Sequence, residues 1–177
     1  MSMSMINIGG NNSSSTLSHI QPGDVQPNAV DLRLGKVFRI SSNAFIIDEE
    51  KKVHRGSEPA FLAADGYYHL DPGHYEVIME NEITVGPDEA GFVITRSTLN
   101  RNGVFLTSGL YDTGYKGVMA GVMHVSIGMM KIKPGTRIGQ YLNWKAEALS
   151  SYDGDYGSGK AHDQKYKKTP TDSFQRP

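Results

Sequence analysis

Apolar and polar residues alternate over short runs along this chain, and turn-forming residues cut those runs at close intervals. The β-rich runs fall at residues 37–40, 44–47, 75–79, 92–95, 104–106, 118–125 and 136–144. Between them stand Gly35, Asp65-Gly66, Asp71-Pro72-Gly73, Gly86-Pro87, Asn102-Gly103, Thr113-Gly114 and Pro134-Gly135. Many short strands bounded by such turns predict an all-β domain, a barrel or a sandwich. Two short segments read as helical, residues 96–102 and 59–64, the first closed by Gly103. No internal repeat is present.

The two ends break this pattern. Residues 9–16 are rich in Gly, Asn and Ser and read as a loop or frayed arm. Residues 150–177 lack an apolar period, so they bury too little to offset the entropy of ordering. The chain therefore divides into an arm (1–20), a β domain (21–149) and a tail (150–177). The tail carries Lys160, Lys165, Lys167 and Lys168 among Tyr152, Tyr156 and Tyr166. That composition suits a solvated tail, and equally one that orders over a phosphate-bearing ligand.

Composition narrows the chemistry. A length of 177 residues gives one domain with a real core, and a net charge of -1 gives no global attraction to nucleic acid. An anionic ligand must therefore meet a local cluster of Arg and Lys. With no cysteine, thiol nucleophiles, disulfides and Cys-ligated zinc are excluded, and the zinc-dependent nucleobase deaminases with them. No apolar run approaches the roughly 20 residues that span a bilayer. The first residues lack the pattern of a secretory signal, so the expected location is the cytoplasm.

Four clusters hold the candidate chemistry, and each has an ordinary structural reading beside the functional one. Asp31 lies among apolar residues in 29–35, on a strand. Arg96, Ser97, Thr98 and Arg101 crowd donors at a short helix start, which suits phosphate oxygens or a solvated surface helix. Asp112 and Tyr115 lie in a glycine-bounded hairpin end, where the acid fits an ordinary turn or the ordering of a water. Gln140 follows the Pro134-Gly135 turn on an alternating strand, within reach of a substrate or a metal-bound water, or merely on an edge.

In order and spacing these clusters resemble the motifs of the dUTPase and dCTP deaminase superfamily, from about Gln21 to Phe174. Residues 26–35, with the second arginine Arg101 in 96–103, are similar to the deaminase branch. Residues 111–117 and 135–140 look like the third and fourth motifs, and the tail is similar to a deaminase-branch tail. The resemblance implies a distorted, jelly-roll-like β-barrel assembled as a homotrimer with active sites between subunits. The tail would close over a pyrimidine deoxynucleoside triphosphate whose phosphates hold Mg2+. It implies that Arg96 and Ser97 bind phosphates, with Thr98 and Arg101 beside them, and that Asp31 acts near the metal or its waters. Asp112 would orient the sugar and activate water. Tyr115 would stack on deoxyribose, Gln140 would contact phosphates, and Lys165 and Tyr166 would clamp them.

One position separates the two activities of that superfamily. Deamination without zinc needs a carboxylate to carry protons. In the deaminase branch that group is a Glu five residues beyond the glycine matching Gly117, and Val122 stands there. Hydrolysis needs Asp112, Asp31, Arg96, Ser97 and Gln140, which are all present. The expected function is therefore hydrolysis of dUTP to dUMP and diphosphate. The alternatives are a dCTP deaminase or bifunctional deaminase-hydrolase, with His124 as a possible proton carrier, and a regulatory nucleotide binder without turnover.

Overall fold

The computed structural model describes residues 5–6 and 12–167. The strands are β1 (Met5–Ile6), β2 (Thr16–Leu17), β3 (Val30–Ile40), β4 (Ile46–Ile47), β5 (Lys52–Val53), β6 (Ser57–Pro59) and β7 (Tyr68–Leu70). They continue with β8 (Gly73–Thr84), β9 (Glu89–Thr95), β10 (Val104–Thr107), β11 (Lys116–Val125), β12 (Met130–Ile132) and β13 (Arg137–Lys145). A single helical turn, α1 (Ser97–Asn100), follows β9, and a 3-10 helix (His162–Lys167) lies in the tail.

All-β was the expectation, and the strands bear it out. The long strands alternate as the sequence demands: Tyr75, Val77 and Met79 of β8 point into the core beside Leu32 and Leu34 of β3 and Met123 of β11. Each such side chain, fully buried, contributes about 1.5–3 kcal/mol relative to exposure.

The main sheet runs β9-β13-β3-β8-β11-β10, antiparallel throughout, and bends round until its two ends meet. Side-chain hydroxyls help to make the closing seam. The Leu106 amide donates to Thr95 Oγ1 at 2.7 Å, and that hydroxyl donates back to the Leu106 carbonyl at 3.0 Å. The Val93 amide donates to Ser108 Oγ at 3.0 Å, and Gly91 bridges to Tyr111 through both backbone bonds. Gly91 has to be glycine here, because a Cβ would stand 2.3 Å from the Tyr141 hydroxyl.

Two expectations change. Residues 59–64 do not form a helix. Pro59 ends β6, the Ala60 amide donates to the Val37 carbonyl, and the Ala63 amide donates to the Tyr67 carbonyl. Cross-strand partners for the backbone outweigh local helix propensity there. The helix expected at 96–102 shrinks to Ser97–Asn100, closed by Gly103 at φ 69°.

The described residues on either side of the β domain pack on the barrel. Thr16–Leu17 pairs with the end of β8, and Ser15 is buried. In the tail, the Tyr152 amide donates to the Thr113 carbonyl and Ser158 to Lys116, both at 2.8 Å. Residue Lys168 and those after it lie outside the described residues.

Candidate functional site

The site residues fall into two groups. The first surrounds Asp31. This carboxylate is fully buried, directly opposite Gln140 across the β3–β13 ladder, and it accepts from Gln140 Nε2 at 3.0 Å. Its other oxygen receives Arg137 Nη1 at 3.3 Å and lies 3.4 Å from Arg96 Nε. Arg137 and Gln140 are three apart in sequence, so a regular strand would send them to opposite faces. A β-bulge at Ile138 corrects this: Arg137 pairs with Arg33, Gly139 with Leu32 and Gln140 with Asp31. Arg137 and Gln140 thereby converge on one carboxylate.

Arg96 precedes α1 in extended geometry, its amide donating to the Ile138 carbonyl at 3.1 Å. Ser97 and Thr98 follow it, exposed, at the helix start, with no side-chain cap. Arg101 is exposed at the far end of the turn. Together these residues form a donor-rich surface, with Arg96 and Arg137 each about one-third exposed. Asp31 neutralises part of that charge and fixes both guanidinium groups.

The second group lines a cavity of about 610 Å³, within the size range of small-molecule sites. Its floor is the outer face of β8 and β11, with Glu76, Val118, Ala120 and Val122. Its wall is Tyr111 and Tyr115, and its cover is the tail, with Tyr152, His162, Lys165 and Tyr166. The Tyr115 ring is wedged edge-on between Tyr111, at 5.4 Å, and Tyr152, at 5.3 Å, and its hydroxyl donates to the Val118 carbonyl. Burial pushes that hydroxyl's pKa up, so it stays protonated. Asp112 sits just outside, exposed in the turn closed by the bond from the Tyr115 amide to its own carbonyl. Its carboxylate has no hydrogen bond or ion pair among the described residues.

Val122 does occupy the floor, and the ladder places Glu76 directly opposite it. Glu76 sits between the core residues Tyr75 and Val77, so its side chain points the other way, into the cavity. Three donors converge on it: Ser57 Oγ at 2.6 Å, Lys165 Nζ at 2.9 Å and Tyr166 Oη at 2.8 Å. Burial raises its pKa, but these three bonds outweigh burial and hold the carboxyl below its usual range. Beyond Val122 the next pair on the same face is His124 opposite His74, with their Nδ1 atoms 2.8 Å apart. Burial and the neighbouring His74 lower the His124 pKa.

Within one chain the two groups stay apart: Asp31, Arg96, Ser97 and Gln140 do not line the cavity that holds Tyr115, Lys165 and Tyr166. Sequence reading missed Glu76 and Arg137. Glu76 needed the strand register, and Arg137 needed the bulge. Magnesium also finds no cage: among the described residues no three His, Cys, Asp or Glu side chains converge. Asp31, expected beside the metal, is committed to two arginines and a glutamine. This donor set does not fit a resident Mg2+, an ion that keeps octahedral oxygen ligands and generally rides on phosphates.

Comparison with known proteins covers most of the chain. The dCTP deaminase-like family model matches residues 11–145. A probable deoxyuridine 5'-triphosphate nucleotidohydrolase of Aeropyrum pernix is 29% identical over 137 residues, 76% of this chain and 85% of that protein. A dUMP-forming dCTP deaminase of a Nocardioides species is 30% identical over 172 residues, 90% of this chain and 87% of that protein. Among solved structures, 2'-deoxycytidine 5'-triphosphate deaminase from Agrobacterium tumefaciens superposes with a TM-score of 0.57 at 18% identity. That match covers 77% of this chain and 45% of the longer one, and it speaks for the fold alone.

Proposed function

This chain belongs to the dCTP deaminase-like family, and on that footing we propose that it is a deoxynucleoside triphosphate diphosphatase cleaving dUTP to dUMP and diphosphate. Relatives named as dUTP nucleotidohydrolases support the reading. The observation that carries it is the placement of carboxylates. Val122 gives the cavity floor no proton carrier at that position, and Glu76 opposite it holds Ser57, Lys165 and Tyr166. Asp112, at the rim, keeps its carboxylate open to water.

In the proposed reaction Asp112 takes a proton from a water whose oxygen attacks the α-phosphorus. The bond from that phosphorus to the β-phosphate bridging oxygen breaks, and diphosphate leaves with the electron pair. Arg96, Ser97, Thr98, Arg101 and Gln140 hold the phosphate oxygens. Asp31 orients Arg96 and Gln140 from behind and does not touch the metal. Tyr115 forms the sugar wall, and Lys165 and Tyr166 reach the phosphates from the tail. Magnesium enters as part of the substrate, on the triphosphate.

The separation of the two groups within one chain favours a homotrimer, in which the arginine surface of one copy completes the cavity of the next. Exposed Phe92, Ile94 and Phe105 on β9 and β10 offer an apolar face for that contact. Among the described residues no helix is long and apolar enough to cross a membrane.

The deciding experiment incubates the protein and Mg2+ with dUTP, dCTP, dTTP and UTP and scores diphosphate and ammonia separately. Diphosphate from dUTP without ammonia from dCTP is the expected result. Ammonia from dCTP means deamination, and nucleotide binding without either product means a regulatory binder. Asp112→Asn is expected to cut turnover by about a hundredfold or more while nucleotide binding persists.

A further inference from the structure

The cavity holds two carboxylates that the proposed reaction leaves unused, Asp163 in the tail and Glu76 on the barrel. Glu76 is half-buried on its floor, and the donors on it come from two places. Ser57 belongs to β6 on the barrel, while Lys165 and Tyr166 belong to the 3-10 helix of the tail. The same short helix is tied a second time, where Lys36 Nζ donates to the Tyr166 carbonyl at 2.6 Å, and the Tyr166 ring packs 6.0 Å from Phe38.

The donor chemistry decides what this arrangement can do. An ionised carboxylate has about four acceptor sites, and before a ligand enters three donors fill most of them. An ammonium and a phenol converging on an anion form a set that also suits phosphate oxygens. Lysine has three donor hydrogens and can bridge two anions. The tyrosine hydroxyl has one, and it is given to Glu76 Oε1. Tyr166 therefore serves Glu76 or a phosphate, not both.

We infer that Glu76 is a positioning residue for the tail clamp, holding Lys165 and Tyr166 over the cavity as a built-in competitor that a triphosphate must displace. The inference rests on the triphosphate reading above. It makes part of the binding energy of the phosphates conditional on an exchange, since the Tyr166 hydroxyl they gain is one that Glu76 loses. Ser57 orients the Glu76 carboxylate toward the tail, so its loss loosens the clamp.

The test uses the full chain with Glu76→Gln and, as a milder change that leaves the charge in place, Ser57→Ala. Tripolyphosphate with Mg2+ is the probe, titrated calorimetrically, so the outcome does not depend on cleavage. Glu76→Gln is expected to bind tripolyphosphate about tenfold tighter, because a neutral amide gives up Lys165 and Tyr166 more easily. Ser57→Ala is expected to shift affinity the same way by less. Without ligand, amide hydrogen exchange over residues 160–167 is expected to quicken in Glu76→Gln. In steady state with dUTP, KM falls while kcat does not rise with it, a split that a merely structural role would not produce.

Unchanged or weaker tripolyphosphate binding in Glu76→Gln overturns the inference, as does unchanged tail exchange or a failure of all forms to bind the probe. If Glu76→Gln does not fold, Ser57→Ala decides by the same signs. A wild-type protein that cleaves no dUTP, while tripolyphosphate still binds tighter to Glu76→Gln, refutes the proposed reaction and leaves the role of Glu76 standing.

Discussion

The segments that flank the β domain, at residues 13–15 and 165–166, are each tied to the barrel through a glutamate, and the two ties are built differently. At the N-terminal side Glu89, fully buried at the start of β9, receives Ser13 Oγ at 2.8 Å, the Ser14 amide at 2.7 Å and the Ser15 amide at 3.1 Å. The hydroxyls of Ser14 and Ser15 donate to it too, and Asn143 approaches from β13. All of these donors are neutral, and most come from three consecutive residues. At the C-terminal side Glu76 depends on a lysine and a tyrosine at the ends of longer side chains, and its own side chain is 15% exposed. Burial raises the pKa of both carboxyls and hydrogen bonds outweigh it in both, but Glu89 falls to about 2. A carboxylate caged by backbone amides and short hydroxyls has no competitor, because its donors have nowhere else to point. One held by a phenol and an ammonium can be traded for another anion.

The contrast is open to measurement, beginning with its stronger side. Glu89→Gln is expected to lose about 3 kcal/mol in urea unfolding at neutral pH, the equivalent of the drop from 4.5 to about 2. The folded value lies below the unfolded one, so this stability is fully present above 4.5 and drains away as the pH falls toward 2. The wild type should therefore lose that increment across the acid window, and Glu89→Gln should not. A mutant as stable as wild type at pH 7 would erase the distinction between the two ties.

Next in size is Asp31→Asn, with an expected loss of about 2 kcal/mol, because Arg96 and Arg137 would keep their charge without a buried counterion. Because these arginines are partly exposed, solvent offsets part of the loss, and the value should fall below that of Glu89→Gln. Smallest is Glu76→Gln, at about 1 kcal/mol or less, since solvent already reaches the pair with Lys165. Sodium chloride at about 0.5 M should narrow the gap between Glu76→Gln and wild type and leave the Glu89→Gln gap unchanged, since screening acts on the exposed ion pair.

What the sequence disclosed follows the same division between local and long-range information. Residues 75–79 and 118–125 read as strands because alternation is a local signal, and both extend a few residues further in the fold. Asp31 and Gln140 were legible as site residues, but their direct contact was not, since it depends on the register of two strands more than a hundred residues apart. Residues 59–64 misled because a run ending in Ala-Ala resembles a helix until cross-strand carbonyls claim its amides. The tail lacks apolar periodicity, yet it orders through aromatic edges and a carboxylate that belong to the barrel, such as Tyr115 and Glu76. Glu76 itself looked like an ordinary polar position on a strand, and only its opposition to Val122 marks it.

The extra residue at Ile138 has a consequence for how this protein can change. Amino-acid exchange at that position alters packing, but loss of one residue between Arg137 and Gln140 alters counting. With that residue gone, Arg137 and Gln140 would stand two apart, and a plain strand would keep both on the face of Asp31. A single codon deletion there therefore removes the bulge and keeps the contact, while flattening the bulge with every residue retained would part the two side chains. Relatives one residue shorter at this point are therefore expected to keep both partners of the buried carboxylate on a straight strand.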